Sequence, residues 1–192
     1  SMVVFFCRMD TLKSRENLDS IISRESALLI QNVLFLVVAF VTLWGTIFPI
    51  FSEATKGDSV TVGQPFFNRV NGPMLLLLIF VMGVGILLPW RKTAFRNVVR
   101  LLKYPAGVAV ATAVMLVLLG IRQTPAVVGF SICAFVVAGI LYEWLRGTRS
   151  RHRKGESYYV AFFNLLTGNR PRYGGYVVHL AIIMFSVGVI AS

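Results

Sequence analysis

Charged residues are scarce in this sequence, and acidic residues are the scarcest. Only 14% of the 192 residues are Asp, Glu, Lys or Arg, whereas about 25% is usual for a soluble domain. Eight residues are acidic and 19 are basic, which gives a formal net charge of +11. Such a low content of charge excludes an ordinary soluble globular domain and favours a protein of the membrane.

Cysteine and histidine are also rare, with two residues of each. Cys7 and Cys133 form no CxxC, CxxCH or metal-ligand spacing, so neither a disulfide framework nor covalent c-type haem attachment is encoded. Cys133 lies in an apolar run and is predicted to be a small core residue. The sequence also lacks paired carboxylates, a nucleophile with its base and a phosphate-binding loop. We therefore assign no catalytic residue to this chain alone.

Long apolar runs, by contrast, are abundant. Hydrophobic residues make up 56% of the chain, and the mean hydropathy is +0.74. A span needs roughly 20 apolar residues to cross about 30 Å of hydrocarbon, and unbroken runs predict helices because unpaired backbone groups are costly in lipid. We predict an all-α, polytopic transmembrane helical bundle in a single membrane domain, 1–192, with five spans near 28–48, 74–90, 105–121, 125–145 and 174–191.

The segments between the spans differ in their content of Lys and Arg. Residues 1–25 hold four, 91–104 hold five, 146–173 hold seven, and the rest of the chain holds three. The positive-inside rule therefore places these segments and the N-terminus in the cytoplasm, and makes 49–73 an external loop. Residues 1–25 are predicted to be a cytoplasmic or interfacial segment. In a membrane protein, the net positive charge favours contact with anionic lipid over binding of nucleic acid.

The last predicted span contains one histidine, His179. An ionisable side chain within a span is costly, so its presence points to a function. His179 lies six residues beyond Tyr173, or about 9 Å along a helix, which places it in the cytoplasmic half of the bilayer. Gly175, one turn earlier, would leave room for a flat macrocycle. Arg172, two turns earlier, is placed to contact a haem propionate.

Two interpretations of His179 are left open by spacing. A neutral imidazole at this depth suits an axial ligand of a b-type haem, with His179 bound to the haem iron. A histidine can equally bond a neighbouring helix or relay a proton, with the glycines serving helix packing, and spacing alone favours this second interpretation. The only other histidine, His152, lies in a basic run and is predicted to be solvated. A second axial ligand therefore has to come from outside this sequence.

Three stretches resemble the CcmF family of cytochrome c haem lyase subunits, in the haem-handling protein superfamily. They are SRESALLIQN at 23–32, WGT at 44–46 followed by Pro49 and FFNRVNGP at 66–73, and RYGGYVVH at 172–179. Their order and spacing are similar to the C-terminal portion of that family's membrane domain. Three features of the family do not occur in this sequence: its tryptophan-rich external haem-binding segment, its two external histidines and its second transmembrane histidine.

The resemblance implies a part in attaching haem to apocytochrome c at the outer face of the bacterial inner membrane. It implies a non-covalent structural haem b held between two transmembrane histidines, of which His179 matches one. The implied partners are the remaining CcmF portion, a CcmH-type subunit that presents apocytochrome c, and the haem chaperone CcmE. Because family elements are missing, we expect a truncated or split portion of a longer protein. The alternative is a transporter- or assembly-type membrane subunit without haem, in which His179 serves helix packing or proton relay.

Overall fold

The fold is that of a computed structural model, which describes residues 23–56, 62–88 and 95–192. Within those ranges the chain forms six α-helices and no strand: α1 Arg24–Lys56, α2 Gln64–Leu87, α3 Phe95–Leu118, α4 Thr124–His152, α5 Tyr158–Gly168 and α6 Arg170–Ala191. Five of the six, all except α5, are long and apolar enough to cross a membrane. The predicted all-α bundle with five membrane spans is confirmed.

The helices are longer than the predicted spans, and the difference is largest around 49–73. We predicted an external loop there, bounded by Pro49 and Pro73. Both prolines instead lie inside helices, because α1 continues to Lys56 and α2 already begins at Gln64. Among the described residues of this stretch, only 62–63 lie outside a helix. The predicted helix ends at Pro49 and Pro73 were therefore wrong, and the external position of 49–73 stays a prediction.

Close packing between α1 and α2 accounts for this extension. A Cβ atom on Gly45 would lie only 2.9 Å from Phe67 Cε1, and Asn71 Nδ2 donates a hydrogen bond to Thr42 Oγ1 at 3.0 Å. An interior proline costs a helix one backbone hydrogen bond. In an apolar setting the chain gains nothing by unwinding there, since lipid offers the freed backbone groups no hydrogen-bond partner.

The predicted loop at 146–173 is also mostly helical. In this stretch α4 continues to His152, α5 occupies Tyr158–Gly168, and α6 begins at Arg170. Of the predicted cytoplasmic or interfacial segment 1–25, residues 1–22 lie outside the described part of the chain, as do residues 89–90 at the end of the predicted second span. The predictions made for those positions stay predictions.

The central helix is α4, which packs against α2, α3, α5 and α6. Its Val136 and Ile140 are 1% and 0% exposed. Glycines let the neighbouring helices come close: a Cβ on Gly83 of α2 would lie 2.6 Å from Val136 Cγ2, and one on Gly129 of α4 would lie 2.7 Å from Ile190 Cδ1 of α6. Small residues at helix crossings are the usual means of close packing in membrane bundles.

One end of the bundle collects most of the positive charge. The start of α1, the end of α2 and the start of α3 meet there in a cluster of Ala27, Leu88 and Val98. Tyr104 of α3 stacks on Tyr142 of α4 at the same end, with ring centroids 5.5 Å apart. We call this the basic end, and its described Lys and Arg residues are Arg24, Arg96, Arg100, Lys103, Arg146, Arg149, Arg151, Arg153, Lys154, Arg170 and Arg172. The positive-inside rule predicts that the basic end faces the cytoplasm.

Candidate functional site

His179 lies in the third turn of α6, nine residues after the helix begins at Arg170. The residue is half-buried, and its Nδ1 is shielded from solvent without a hydrogen bond of acceptable geometry. The other ring nitrogen, Nε2, makes no hydrogen bond to any described residue and is not shielded in this way. A polar atom left unpaired inside a protein calls for an explanation, and a missing ligand is one.

Gly175 leaves space beside the histidine. A Cβ atom built on Gly175 would meet no atom of another residue within 4 Å, so helix packing does not require a glycine here. Residues four apart on a helix lie above one another on the same face. Open space therefore lies next to His179 on this face of α6; that a haem occupies it stays a prediction.

Arg172 lies near the start of α6 and forms a short ion pair with another helix. Its Nη2 donates to Glu143 Oε2 of α4 at 2.7 Å, and its Nε donates to the hydroxyl of Tyr176 at 2.9 Å. The carboxylate of Glu143 is buried, with 9% of its side chain exposed, and its other oxygen lies 3.5 Å from Arg146 Nη1. A buried carboxylate needs a cationic partner to offset its desolvation, and Arg172 supplies one from another helix.

Two tyrosines complete this contact between α4 and α6. Tyr173 and Tyr176 are 6% and 2% exposed, and their rings meet edge to face with centroids 5.5 Å apart. The Tyr173 hydroxyl lies 3.1 Å from where a Cβ on Gly147 of α4 would be. Buried aromatic rings contribute large contact areas with few rotatable bonds. The start of α6 is thus held firmly against α4.

Arg172 is predicted to contact a haem propionate, but part of its guanidinium group is already used by this network. The guanidinium uses Nε and Nη2 for Tyr176 and Glu143, while Nη1 makes no hydrogen bond to a described residue. The Arg172 side chain is 42% exposed. An Arg side chain presents five N–H donors in a fixed plane, so donors are left for an anion. The propionate contact stays a prediction.

His152 is more ordered than its sequence context indicates. Its Nδ1 lies 2.7 Å from the Glu156 carbonyl oxygen, and its ring stacks on Tyr158 with centroids 3.7 Å apart. The expected solvated histidine is therefore a packed one, which joins the end of α4 to the start of α5. The two histidines belong to different contacts, so His152 does not pair with His179.

Other candidate ligands do not gather in the described part of the chain. Within residues 23–56, 62–88 and 95–192, no group of three or more His, Cys, Asp or Glu side chains is placed to hold a metal ion. Cys133 is a free thiol in the core, 3% exposed, as predicted. Any iron at this site would have to be held by His179 together with a ligand from another segment.

The sequence of the chain is similar to those of several known proteins. It is 30% identical over 99% of its length to the cytochrome c-type biogenesis protein CcmF of Pseudomonas fluorescens. It is 30% identical over its whole length to the same protein of Pseudomonas aeruginosa, and 30% identical over 80% of its length to the cytochrome c-type biogenesis protein ccl1 of Rhodobacter capsulatus. The chain is a homologue of the CcmF-type cytochrome c biogenesis proteins.

The CcmF-type relatives are considerably longer than this chain. It covers 28% of the Pseudomonas proteins and 24% of the Rhodobacter protein. No protein-family model matches the chain, and no solved structure matches it significantly. The homology therefore covers a part of these longer proteins, and the roles of single residues have to be argued from geometry.

Proposed function

We propose that this chain is part of a cytochrome c biogenesis haem lyase and that His179 supplies one axial ligand of a non-covalently bound haem b. One observation carries the proposal: in a CcmF-type homologue, the ring of an intramembrane histidine has no hydrogen-bond partner of good geometry among the described residues, and open space lies beside it at Gly175. An unpaired imidazole in hydrocarbon is costly. When bound, the haem would supply a redox-active iron within the membrane.

The residues around His179 have distinct tasks in this proposal. His179 would coordinate through Nε2, the ring nitrogen that is not shielded. Nδ1 would then be free for an outer acceptor of the kind that usually orients an iron-bound imidazole. Gly175 keeps the adjacent surface flat. Arg172 would contact a propionate through donors that Glu143 and Tyr176 leave free.

The rest of the activity is proposed to lie elsewhere in the assembly. We assign the second axial ligand and the site of haem attachment to other segments, including the remaining CcmF portion. The proposed partners are a CcmH-type subunit that presents apocytochrome c, the haem chaperone CcmE and apocytochrome c itself, at the bacterial inner membrane. Support comes from the homology and from five spanning helices.

The test uses the whole polypeptide as the cell produces it, extracted in mild detergent. Reduced-minus-oxidised absorption spectra should show a b-type α band, and His179→Ala should abolish it at equal protein level. His152→Ala is the matched control and should keep the band, since that ring is engaged by Tyr158 and Glu156. Unchanged haem content in His179→Ala would overturn the proposal, as would an equal loss in both variants.

The competing function is a transporter- or assembly-type subunit without haem, in which His179 bonds a neighbouring helix or relays a proton. Helix packing through His179 would require a hydrogen bond to another helix. Among the described residues His179 makes none, which supports the haem proposal. Protein that is free of haem and is destabilised by His179→Ala would favour the packing function instead.

A further inference from the structure

A basic surface pocket lies at the end of α4, outside the site around His179. Its volume is about 360 Å³, and it is lined by Tyr142, Leu145, Arg146, Arg149, Ser150 and Arg153. Counted from Tyr142, they fall at +3, +4, +7, +8 and +11, which is the spacing of one face of a helix. The pocket therefore joins an aromatic and aliphatic wall to a row of three guanidinium groups.

The positive charge of this pocket is not neutralised by the described residues. Arg149 and Arg153 form no ion pair within the described part of the chain, and Arg146 has only a 3.5 Å contact with Glu143. Glu143 is already committed to Arg172 at the shorter distance of 2.7 Å. Because three guanidinium groups line one pocket, the pocket favours an anion, and planar N–H donors match the oxygens of phosphate.

A fourth arginine adds to this field from the neighbouring helix. Tyr104 of α3 stacks on Tyr142 of α4 with ring planes 20° apart. This contact places the two tyrosines at the same height along the two antiparallel helices. Arg100 lies one turn before Tyr104, and Arg146 lies one turn after Tyr142. Moving one turn from the stacked pair along each antiparallel helix reaches the same level, so Arg100 and Arg146 lie at the same level of the basic end.

The exposed apolar side chains beside the pocket indicate which kind of molecule bears the anionic group. On the side of the pocket nearer the middle of the bundle, Leu141, Leu145 and Tyr104 are 47%, 57% and 62% exposed. The change from exposed apolar side chains to arginines falls between Leu145 and Arg146. Tyrosine rings and such a change mark the level of lipid headgroups, and clusters of Lys and Arg directly beyond the end of a membrane helix bind anionic headgroups. A soluble polyanion such as nucleic acid would leave the leucines uncovered.

We propose that this pocket binds the phosphate of an anionic phospholipid headgroup, with its acyl chains lying along Leu141 and Leu145. Arg149 and Arg153 contact the phosphate oxygens, and Arg146 and Arg100 supply the surrounding positive potential. The site is separate from His179 and does not depend on haem binding.

Titration of the detergent-extracted whole polypeptide with phosphatidylglycerol, followed by native mass spectrometry, tests this site. The variant Arg149→Gln/Arg153→Gln should weaken binding of the first lipid at least tenfold. The control Lys154→Gln/Arg170→Gln removes the same charge from exposed residues that do not line the pocket, and it should change binding less than twofold. Phosphatidylcholine and inorganic phosphate are titrated in parallel.

Saturable binding of phosphatidylglycerol that is lost only in the pocket variant supports the proposal. Equal loss in both double variants would show attraction to surface charge without a site, and would overturn it. Binding of phosphatidylcholine as tight as that of phosphatidylglycerol would overturn the preference for an anionic lipid. Competition by inorganic phosphate at concentrations similar to those of the lipid would assign the pocket to free phosphate instead.

Discussion

Arg172 donates a hydrogen bond to Glu143 at 2.7 Å, across 29 positions of sequence, and so joins α6 to α4 at the basic end. The same guanidinium holds the hydroxyl of Tyr176, and Tyr176 lies one turn before His179. A contact of this kind fixes how far α6 is rotated about its own axis. The direction in which α6 presents its His179 face is therefore set by a charge pair two turns away.

Breaking this ion pair should destabilise the bundle. We expect Glu143→Ala to lower the free energy of unfolding by about 1–2 kcal/mol, less than for a fully buried pair because Arg172 is partly exposed. Unfolding in detergent micelles, followed by circular dichroism, measures this. The control Glu156→Gln loosens a 3.5 Å contact with Arg151, in which about a third of each side chain is exposed, and should cost less than about 0.5 kcal/mol. An equal loss of unfolding free energy in Glu143→Ala and Glu156→Gln would contradict a larger contribution from the Arg172–Glu143 pair.

Adding a methyl group at the crossing of α2 and α4 should also destabilise the protein. A Cβ on Gly83 would lie 2.6 Å from Val136 Cγ2, whereas one on Gly107 of α3 would meet nothing within 4 Å. We expect Gly83→Ala to cost about 1–3 kcal/mol through overpacking. Gly107→Ala should be neutral or stabilise by up to about 1 kcal/mol through helix propensity. The two variants are compared in one unfolding experiment, and a cost at Gly107 equal to that at Gly83 would refute the packing argument.

Replacing Pro49 tests whether α1 really continues through it. Pro49 lies inside α1, whereas Pro125 lies in the first turn of α4, where proline fits. Pro49→Ala restores a backbone donor within a helix, so we expect an increase in the free energy of unfolding of about 1 kcal/mol. Pro125→Ala should change it by less than about 0.5 kcal/mol. A loss of stability in Pro49→Ala would indicate that the proline terminates the helix, as the sequence alone predicted.

Filling the space at Gly175 should lower haem content without unfolding the chain. Cβ atoms at Gly174 and Gly175 both meet open space, but only Gly175 lies one turn below His179. We expect Gly175→Leu to reduce the b-type α band several-fold. Gly174→Leu, about 100° further round the helix, should keep most of it. Haem is measured by pyridine haemochrome at matched protein level, and equal haem content in the two variants would count against a haem beside Gly175.

The apolar runs were sufficient to predict the class of fold, because each run had the length of a span and lacked charge. Helix ends were predicted less well. Pro49 and Pro73 suggested helix boundaries by local propensity, and packing around Gly45 overrode that preference. Nothing in the local sequence says that Phe67 will lie against Gly45, since the contact joins two different helices.

The site could be predicted only in part for the same reason. His179 and Gly175 are neighbours on one helix, so spacing alone places them on one face. The partner of Glu143 could not be predicted: an acid near the end of an apolar run needs a cation, but seven Lys and Arg residues lie in 146–173. Choosing Arg172 among them requires knowing how α6 packs on α4.

The short helix α5 has a consequence for His179. Its eleven residues extend about 16 Å, about half of a hydrocarbon core, and Tyr159 and Phe163 on it are 81% and 65% exposed. Such a helix is accommodated at the membrane surface. Because only Asn169 separates α5 from α6, α6 enters the membrane at the level at which α5 lies. His179 then lies at most about 14 Å below that surface. The number of residues between α5 and His179 therefore sets the depth of the ring in the membrane. Inserting one helical turn there would place the ring about 5 Å deeper.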